Sequence, residues 1–471
     1  MKENSKIGLM SIGLDTYWAQ FNGLYERLCS YKDEIGKIII GAGGSLVDAG
    51  MVDSPEKAQE AASYFESERV DLIFIYISTY ALSSTVLPVV QNSRAHVILL
   101  NIQPTPAIRY DYLNNLDDMS ARTGEWLANC QACSIPELAC VFNRSNIGYT
   151  IITGYLGDNY ATREITQWVE SANVMASMRH ARFGLLGHYY GGMLDVYADL
   201  TRNSAAFGSH FEQLEMCQLK ELRDAVTPSQ VEDKICEFKS SFNVSEKCTE
   251  YELERAARTS VALDELIKKY RLDGMVYYYE GIAEYQNMVT SVIAGNTLLT
   301  SKGIPVAGEY EVRNVLAMKI MSLFGTGGSF AEFYAMDFND DVVMLGHDGP
   351  AHRKIAEGEV SLVPLPVYHG KPGSGLSIQM TVKHGDVTIL AVCEGPDGVY
   401  LLAAEGESVE GPVLQIGNTN SRYRFPVGAR KFMDSWSYSG PSHHCAIGIG
   451  HIMDKLEKLA KLLKINIVKV C

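Results

Sequence analysis

Leu72-Ile-Phe-Ile-Tyr-Ile77 is a run of six apolar residues with no polar position to turn toward water. An alternating strand has one wet face, whereas a strand apolar throughout has both faces covered, as in a parallel sheet flanked by helices. Six residues are also far too few to span a bilayer. On either side lie segments of matching character. Lys6–Ile12 is strand-like and is followed by the amphipathic Trp18–Ser30. Lys37–Ile40 follows as a strand-like run, then the Ala/Glu-rich helical stretch Pro55–Arg69. After Val70–Ile77 come Val86–Asn92 and another apolar run, His96–Leu100. Short apolar strands separated by helices predict an open α/β domain over residues 1–175, with loops at the strands' carboxyl ends facing a ligand.

A second unit opens near Ala181 with Arg182-Phe-Gly184 and the glycine-rich Gly187–Gly192. The charged helical segment Glu246–Tyr270 leads to Gly274-Met-Val-Tyr-Tyr-Tyr279, a further buried strand. The helix Glu311–Leu323 then stops at the cluster Gly325-Thr-Gly-Gly328. Beyond about residue 330 the texture changes. Leu376–Lys383, Val387–Cys393 and Val399–Ala404 are strand-like, divided by turn signals at His384-Gly-Asp386 and Gly395-Pro-Asp-Gly398. Gly448–Leu463 is amphipathic and helical, and Ile465–Val470 is a last strand. The expected fold class is α/β: two N-terminal open α/β domains with parallel sheets (1–175 and 176–328), then a C-terminal, mainly antiparallel β domain with a closing helix (329–471).

The formal charge of −15 excludes nucleic acid or an anionic membrane as the main partner, because no basic excess exists to neutralise phosphates. No secretory signal opens the chain, and ten cysteines without regular spacing read as reduced thiols. The expected location is cytoplasmic. Gly41-Ala-Gly-Gly-Ser45 lacks the Lys-Ser/Thr of a phosphate loop, and Cys130-Gln-Ala-Cys133 is a lone pair of thiols, short of a zinc site.

Four separated segments each present one group suited to metal chemistry. Glu309 follows Ile304-Pro-Val-Ala-Gly308, at the carboxyl end of a β-run and just before a helix. Glu332 lies among Phe330, Phe333 and Tyr334, where burial without a counter-charge costs several kcal/mol. His347 ends Val343-Met-Leu-Gly-His347, and His444 lies in Gly440-Pro-Ser-His-His-Cys445. Two carboxylates and two imidazoles suit Mn²⁺ or a similar divalent ion with positions left for substrate. The same carboxylates could carry protons if their pKa values are held apart. Glu311, His352 and His443 are rivals for these places. Glu311 reads as a first-turn helix residue, and in an extended segment His443 and His444 point to opposite sides.

These segments resemble the L-arabinose isomerase and L-fucose isomerase superfamily. Gly308-Glu309, before a helix carrying Met318-Lys-Ile-Met321, is similar to the family's first metal-carboxylate motif, and Ala331-Glu-Phe-Tyr334 to its second. Val343-Met-Leu-Gly-His347 resembles the Leu-Gly-x-His segment, His443-His444 the double histidine, and Ala181-Arg-Phe-Gly184 a further arabinose-isomerase signature. The residues after His347 (Asp-Gly-Pro-Ala-His352) and the N-terminal Gly13-Leu-Asp-Thr-Tyr-Trp18 depart from the pattern. The resemblance implies an aldose–ketose isomerase acting on a pentose or 6-deoxyhexose through a cis-enediol. Glu309, Glu332, His347 and His444 would hold Mn²⁺ (or Co²⁺ or Mg²⁺), and the two glutamates would be catalytic. It also implies a homotrimer or homohexamer in which Tyr17, Trp18 and Gln131 reach the sugar at a subunit boundary. An L-fucose or D-arabinose isomerase is the nearest alternative, and a silent sugar-binding protein of the same fold the next.

Overall fold

The apolar run forms a central strand with all six residues buried, in a computed structural model that describes residues 4–281, 285–365, 367–368, 371–372 and 375–471. Five parallel strands make the first sheet: β1 (Lys6–Ile12), β2 (Ser45–Val52), β3 (Leu72–Ile77), β4 (His96–Gln103) and β5 (Tyr149–Tyr155). Their order, β2-β1-β3-β4-β5, is doubly wound, with its topological switch point between β1 and β3. The chain divides into two compact units, Lys2–Ala176 and Ser177–Cys471, and this sheet is the centre of the first.

Two local expectations are corrected here. Lys37–Ile40 is not a strand but the last turn of the helix Leu24–Gly41. Its β-branched residues imitate a strand, yet Leu28, Lys32, Ile35 and Ile39 are buried at helical spacing. The strand begins only after the glycine run, where a Cβ on Gly44 would stand 2.9 Å from Ile7. Cys130 and Cys133 are joined by a disulfide rather than left as thiols. The 3₁₀ turn Gln131–Cys133 brings their Cα atoms to 5.7 Å, within the span a disulfide bridges.

The second unit begins with a four-stranded parallel sheet: β6 (Arg182–Gly187), β7 (His210–Leu214), β8 (Gly274–Tyr278) and β9 (Val306–Ala307), in the order β9-β8-β6-β7. The helix Glu250–Tyr270 starts at Thr249, whose side chain accepts a hydrogen bond from Glu252 N. The helix Ile293–Ser301 is buried along its whole length.

Seven further strands build the other sheet: β10 (Gly327–Asp337), β11 (Val342–His347), β12 (Gly385–Gly395), β13 (Gly398–Val409), β14 (Thr419–Arg424), β15 (His444–Ile449) and β16 (Asn466–Lys469). The order is β12-β15-β10-β11-β14-β13-β16, and β12 also pairs with β13. That extra pairing closes six strands into an antiparallel ring, which removes exposed edges. Gly448, expected to start a helix, lies inside β15, and the helix spans Met453–Leu463. One apolar cluster runs through the unit, from Leu186 and Leu263 to Leu345, Ile389, Phe425 and Ile447. Among the described residues no helix is long and apolar enough to cross a membrane.

Candidate active site

Strand register assembles one side of the site. Glu332 on β10 stands opposite His444 on β15 and opposite Gly346 on β11, and directly opposed residues in an antiparallel pair have neighbouring side chains. His347 follows Gly346, at the end of β11. Gly346 cannot be larger, because a Cβ there would lie 2.2 Å from Thr419 O. Phe330, two residues before Glu332, packs its ring 4.4 Å from both the His347 and the His444 rings.

Glu309 arrives from the parallel sheet, two residues beyond β9. Glu309 and Tyr310 both hold left-handed backbone, with φ of 54° and 60°, a conformation costing each L-residue about 1–2 kcal/mol. Tyr310 N donates to Tyr277 O (3.1 Å) and Glu311 N to Gly308 O (3.0 Å), which pins the turn. The strain carries Glu309 away from the helix Val312–Phe324 and toward the histidines. Its Oε2 lies 3.4 Å from His443 Nε2 and 3.5 Å from His444 Nε2.

Glu309, His347 and His444 can bring one ligand atom each within 4.8 Å of one another, and so can Glu332, His443 and His444. His444 is common to both groups. His443 lies before β15, so strand alternation does not bind it; its ring sits 3.9 Å from that of His444, not on the opposite side. His352 is buried but belongs to neither group.

Glu311 corrects its expected role as a first-turn residue. It occupies the N-cap position without capping, fully buried, with Oε2 3.7 Å from His444 Nδ1 and Oε1 3.5 Å from Arg313 Nε. Burial pushes its carboxyl up to about 7. Burial also raises Glu332, with Glu309 adding to the effect, and holds His444 well below the ordinary imidazole value. Burial pulls His347 down, but Asp348, Glu332 and Glu309 together leave it raised. His443 ends at about 9, because Glu309 and Asp195 outweigh its burial.

Glu309 Oε2, both Glu311 oxygens and both His444 nitrogens are buried without a hydrogen-bond partner. Unpaired buried acceptors are costly unless something compensates them. A divalent cation held by Glu309, His347 and His444 would compensate Glu309 Oε2 and one His444 nitrogen, so this donor set fits such an ion.

Tyr17, Trp18 and Gln131 lie in the first unit, beside the carboxyl ends of β1 and β3. Tyr17 ends the 3₁₀ turn Asp15–Tyr17, and Trp18 Nε1 donates to Asp53 (2.8 Å). Gln131 is buried and donates to Ser78 O and Ala128 O, both at 2.9 Å. The structure therefore gathers these three around the switch point of their own sheet.

Residues 327–466 match the family model of the L-arabinose isomerase C-terminal domain. The chain is arabinose-isomerase-like. It is 20% identical over 448 residues to the L-arabinose isomerase of Bacillus subtilis, covering 89% of this chain and 85% of that one. The L-arabinose isomerase of Aeromonas hydrophila is 19% identical over 343 residues, covering 69% and 68%. That of Acidothermus cellulolyticus is 19% identical over 345 residues, covering 71% and 69%. In this arabinose-isomerase-like chain the matched domain contains Glu332, His347 and His444, while Glu309 comes from the preceding sheet. Sequence reading missed Asp195, Asp348 and the packing role of Phe330. Only Asp348 carried a signal, being next to His347.

Proposed function

We propose that this chain is a metal-dependent aldose–ketose isomerase acting on a pentose or 6-deoxyhexose through a cis-enediol, with L-arabinose the first sugar to test. The observation that carries the reading is the pair of overlapping clusters, Glu309–His347–His444 and Glu332–His443–His444, with unpaired buried polar atoms among them. Likeness to L-arabinose isomerases supports the reaction class. When bound, Mn²⁺ (or Co²⁺ or Mg²⁺) supplies positive charge that acidifies a sugar hydroxyl and offsets negative charge developing on the sugar. Glu309, Glu332, His347 and His444 would hold it.

Isomerisation moves one hydrogen between C1 and C2 and another between O1 and O2, so two groups must exchange protons with the sugar. Glu309 and Glu332 are the two carboxylates that would exchange those protons, one as acid and one as base. The Phe330 ring, against both imidazoles, keeps one wall of the site dry. Sugar contacts by Tyr17, Trp18 and Gln131, assembly as a trimer or hexamer that delivers them, and a cytoplasmic location belong to the same proposal.

The test is conversion of a panel of pentoses and 6-deoxyhexoses by EDTA-treated protein, with and without added Mn²⁺. Mn²⁺-dependent turnover of any sugar is the expected result and names the substrate. Absence of both turnover and metal binding would overturn the reading in favour of a sugar-binding protein.

A further inference from the structure

Asp195 lies in the short turn Leu194–Val196, far in sequence from every residue of the site. Its Oδ2 accepts twice from His443, from the backbone N–H at 3.0 Å and from Nδ1 at 2.6 Å. The opposite ring nitrogen, Nε2, faces Glu309 Oε2 at 3.4 Å. The turn itself is tied to the Glu309 segment: Arg313 Nη2 donates to Asp195 O, and Tyr189 packs 4.8 Å from both Tyr197 and Tyr310.

We propose that Asp195 is a positioning residue for Glu309, acting through His443. The inference rests on the isomerase reading for its consequence, but not for its geometry. Asp195 accepts from Nδ1 and so fixes the orientation of the His443 ring, which turns Nε2 toward Glu309; a ring flip would break the Nδ1 bond. The surface reading, a half-exposed ion pair, predicts almost no effect on removal. Two donors on one oxygen, with a third group at the far end of the ring, make an oriented chain instead. Groups that orient the partners of a metal or catalytic residue matter by about 10–100-fold.

Two variants and two readouts test this. Asp195→Ala removes the oxygen that accepts both bonds, while Asp195→Asn keeps a neutral oxygen that can accept. Nitrogen-15 and ring-proton spectra of labelled histidine in metal-free protein, with His443→Gln assigning the resonance, report the hydrogen-bonded Nδ1–H of His443. That slowly exchanging Nδ1 proton is expected in the parent and in Asp195→Asn, and its loss in Asp195→Ala. In the Mn²⁺-loaded enzyme, kcat should fall about tenfold or more in Asp195→Ala, with KM within about threefold and partial recovery in Asp195→Asn. An unchanged Nδ1 proton signal in Asp195→Ala overturns the proposal. So does a kcat loss explained wholly by weaker Mn²⁺ binding or a lower Tm. If the parent itself turns over no sugar, the isomerase reading fails, and the ring spectrum still decides the positioning role.

Discussion

Glu309 and Glu332 share a site but differ in how the chain holds them. Glu309 is fixed by a strained backbone turn, Glu332 by strand register. Replacing either with Gln keeps its shape and removes its acid–base capacity. Turnover should fall by about 10²–10⁴-fold while far-UV circular dichroism and Tm stay close to the parent's. A Gln variant with normal kcat would remove that residue from the mechanism. His352 gives a test of stability instead. Burial lowers it to about 4 and its Nδ1 has no partner, so the fold favours the neutral ring. A folded-state value below the ordinary 6.5 means the unfolded chain binds more protons between those limits. Stability from this group is therefore present above about pH 6.5 and lost as pH falls toward 4, to the extent of about 3 kcal/mol. His352→Phe should flatten denaturant midpoints measured between pH 7 and pH 4.5; an unchanged slope would show that His352 does not set it.

At the scale of the element, β11 and its neighbours decide where His347 points. Gly346→Ala would drive a methyl group into Thr419 O and force β11 and β14 apart. The expected cost is about 3 kcal/mol or more, read as a shift in urea midpoint, with Mn²⁺ affinity weakened in whatever protein remains folded. The helix Glu250–Tyr270 depends less on any single contact. Thr249→Ala deletes its cap and should cost about 1 kcal/mol without touching turnover. The contrast separates a position where backbone approaches backbone from one where a side chain satisfies a single N–H.

For the whole molecule, the continuous core of the second unit sets a limit on dissection. Leu263 and Leu298 from the α/β part share one cluster with Leu345, Ile389 and Ile447 from the barrel. A fragment beginning at residue 327 would expose that apolar face, so near-UV circular dichroism of such a fragment should lack the signals of fixed aromatic rings. The buried unpaired acceptors make a second prediction at this scale. Mn²⁺ at a hundred times its Kd should stabilise the folded protein by about 2.7 kcal/mol, seen as a rise in Tm that EDTA reverses. No rise would mean that the acceptors are not a cation site.

Much of the architecture was legible in the chain because it follows from period and punctuation. The unbroken apolar run Leu72–Ile77 announced a doubly covered parallel strand, and the turn at Gly395–Gly398 announced the β12–β13 hairpin. Lys37–Ile40 was misread because an isolated β-branched run looks alike in a strand and in the buried turn of a helix; only packing separates them. Of the site, the residue types and the glycines beside Glu309 and His347 were visible in one dimension. The left-handed turn that aims Glu309, the burial of Glu311 beside His444, and the Asp195–His443 contact were not. By itself the sequence determined the succession of α/β and antiparallel β regions and offered the side chains proposed to carry the chemistry, since both depend on near neighbours. The tertiary structure alone decided which of those side chains meet, because strand register and loop closure join residues hundreds of positions apart.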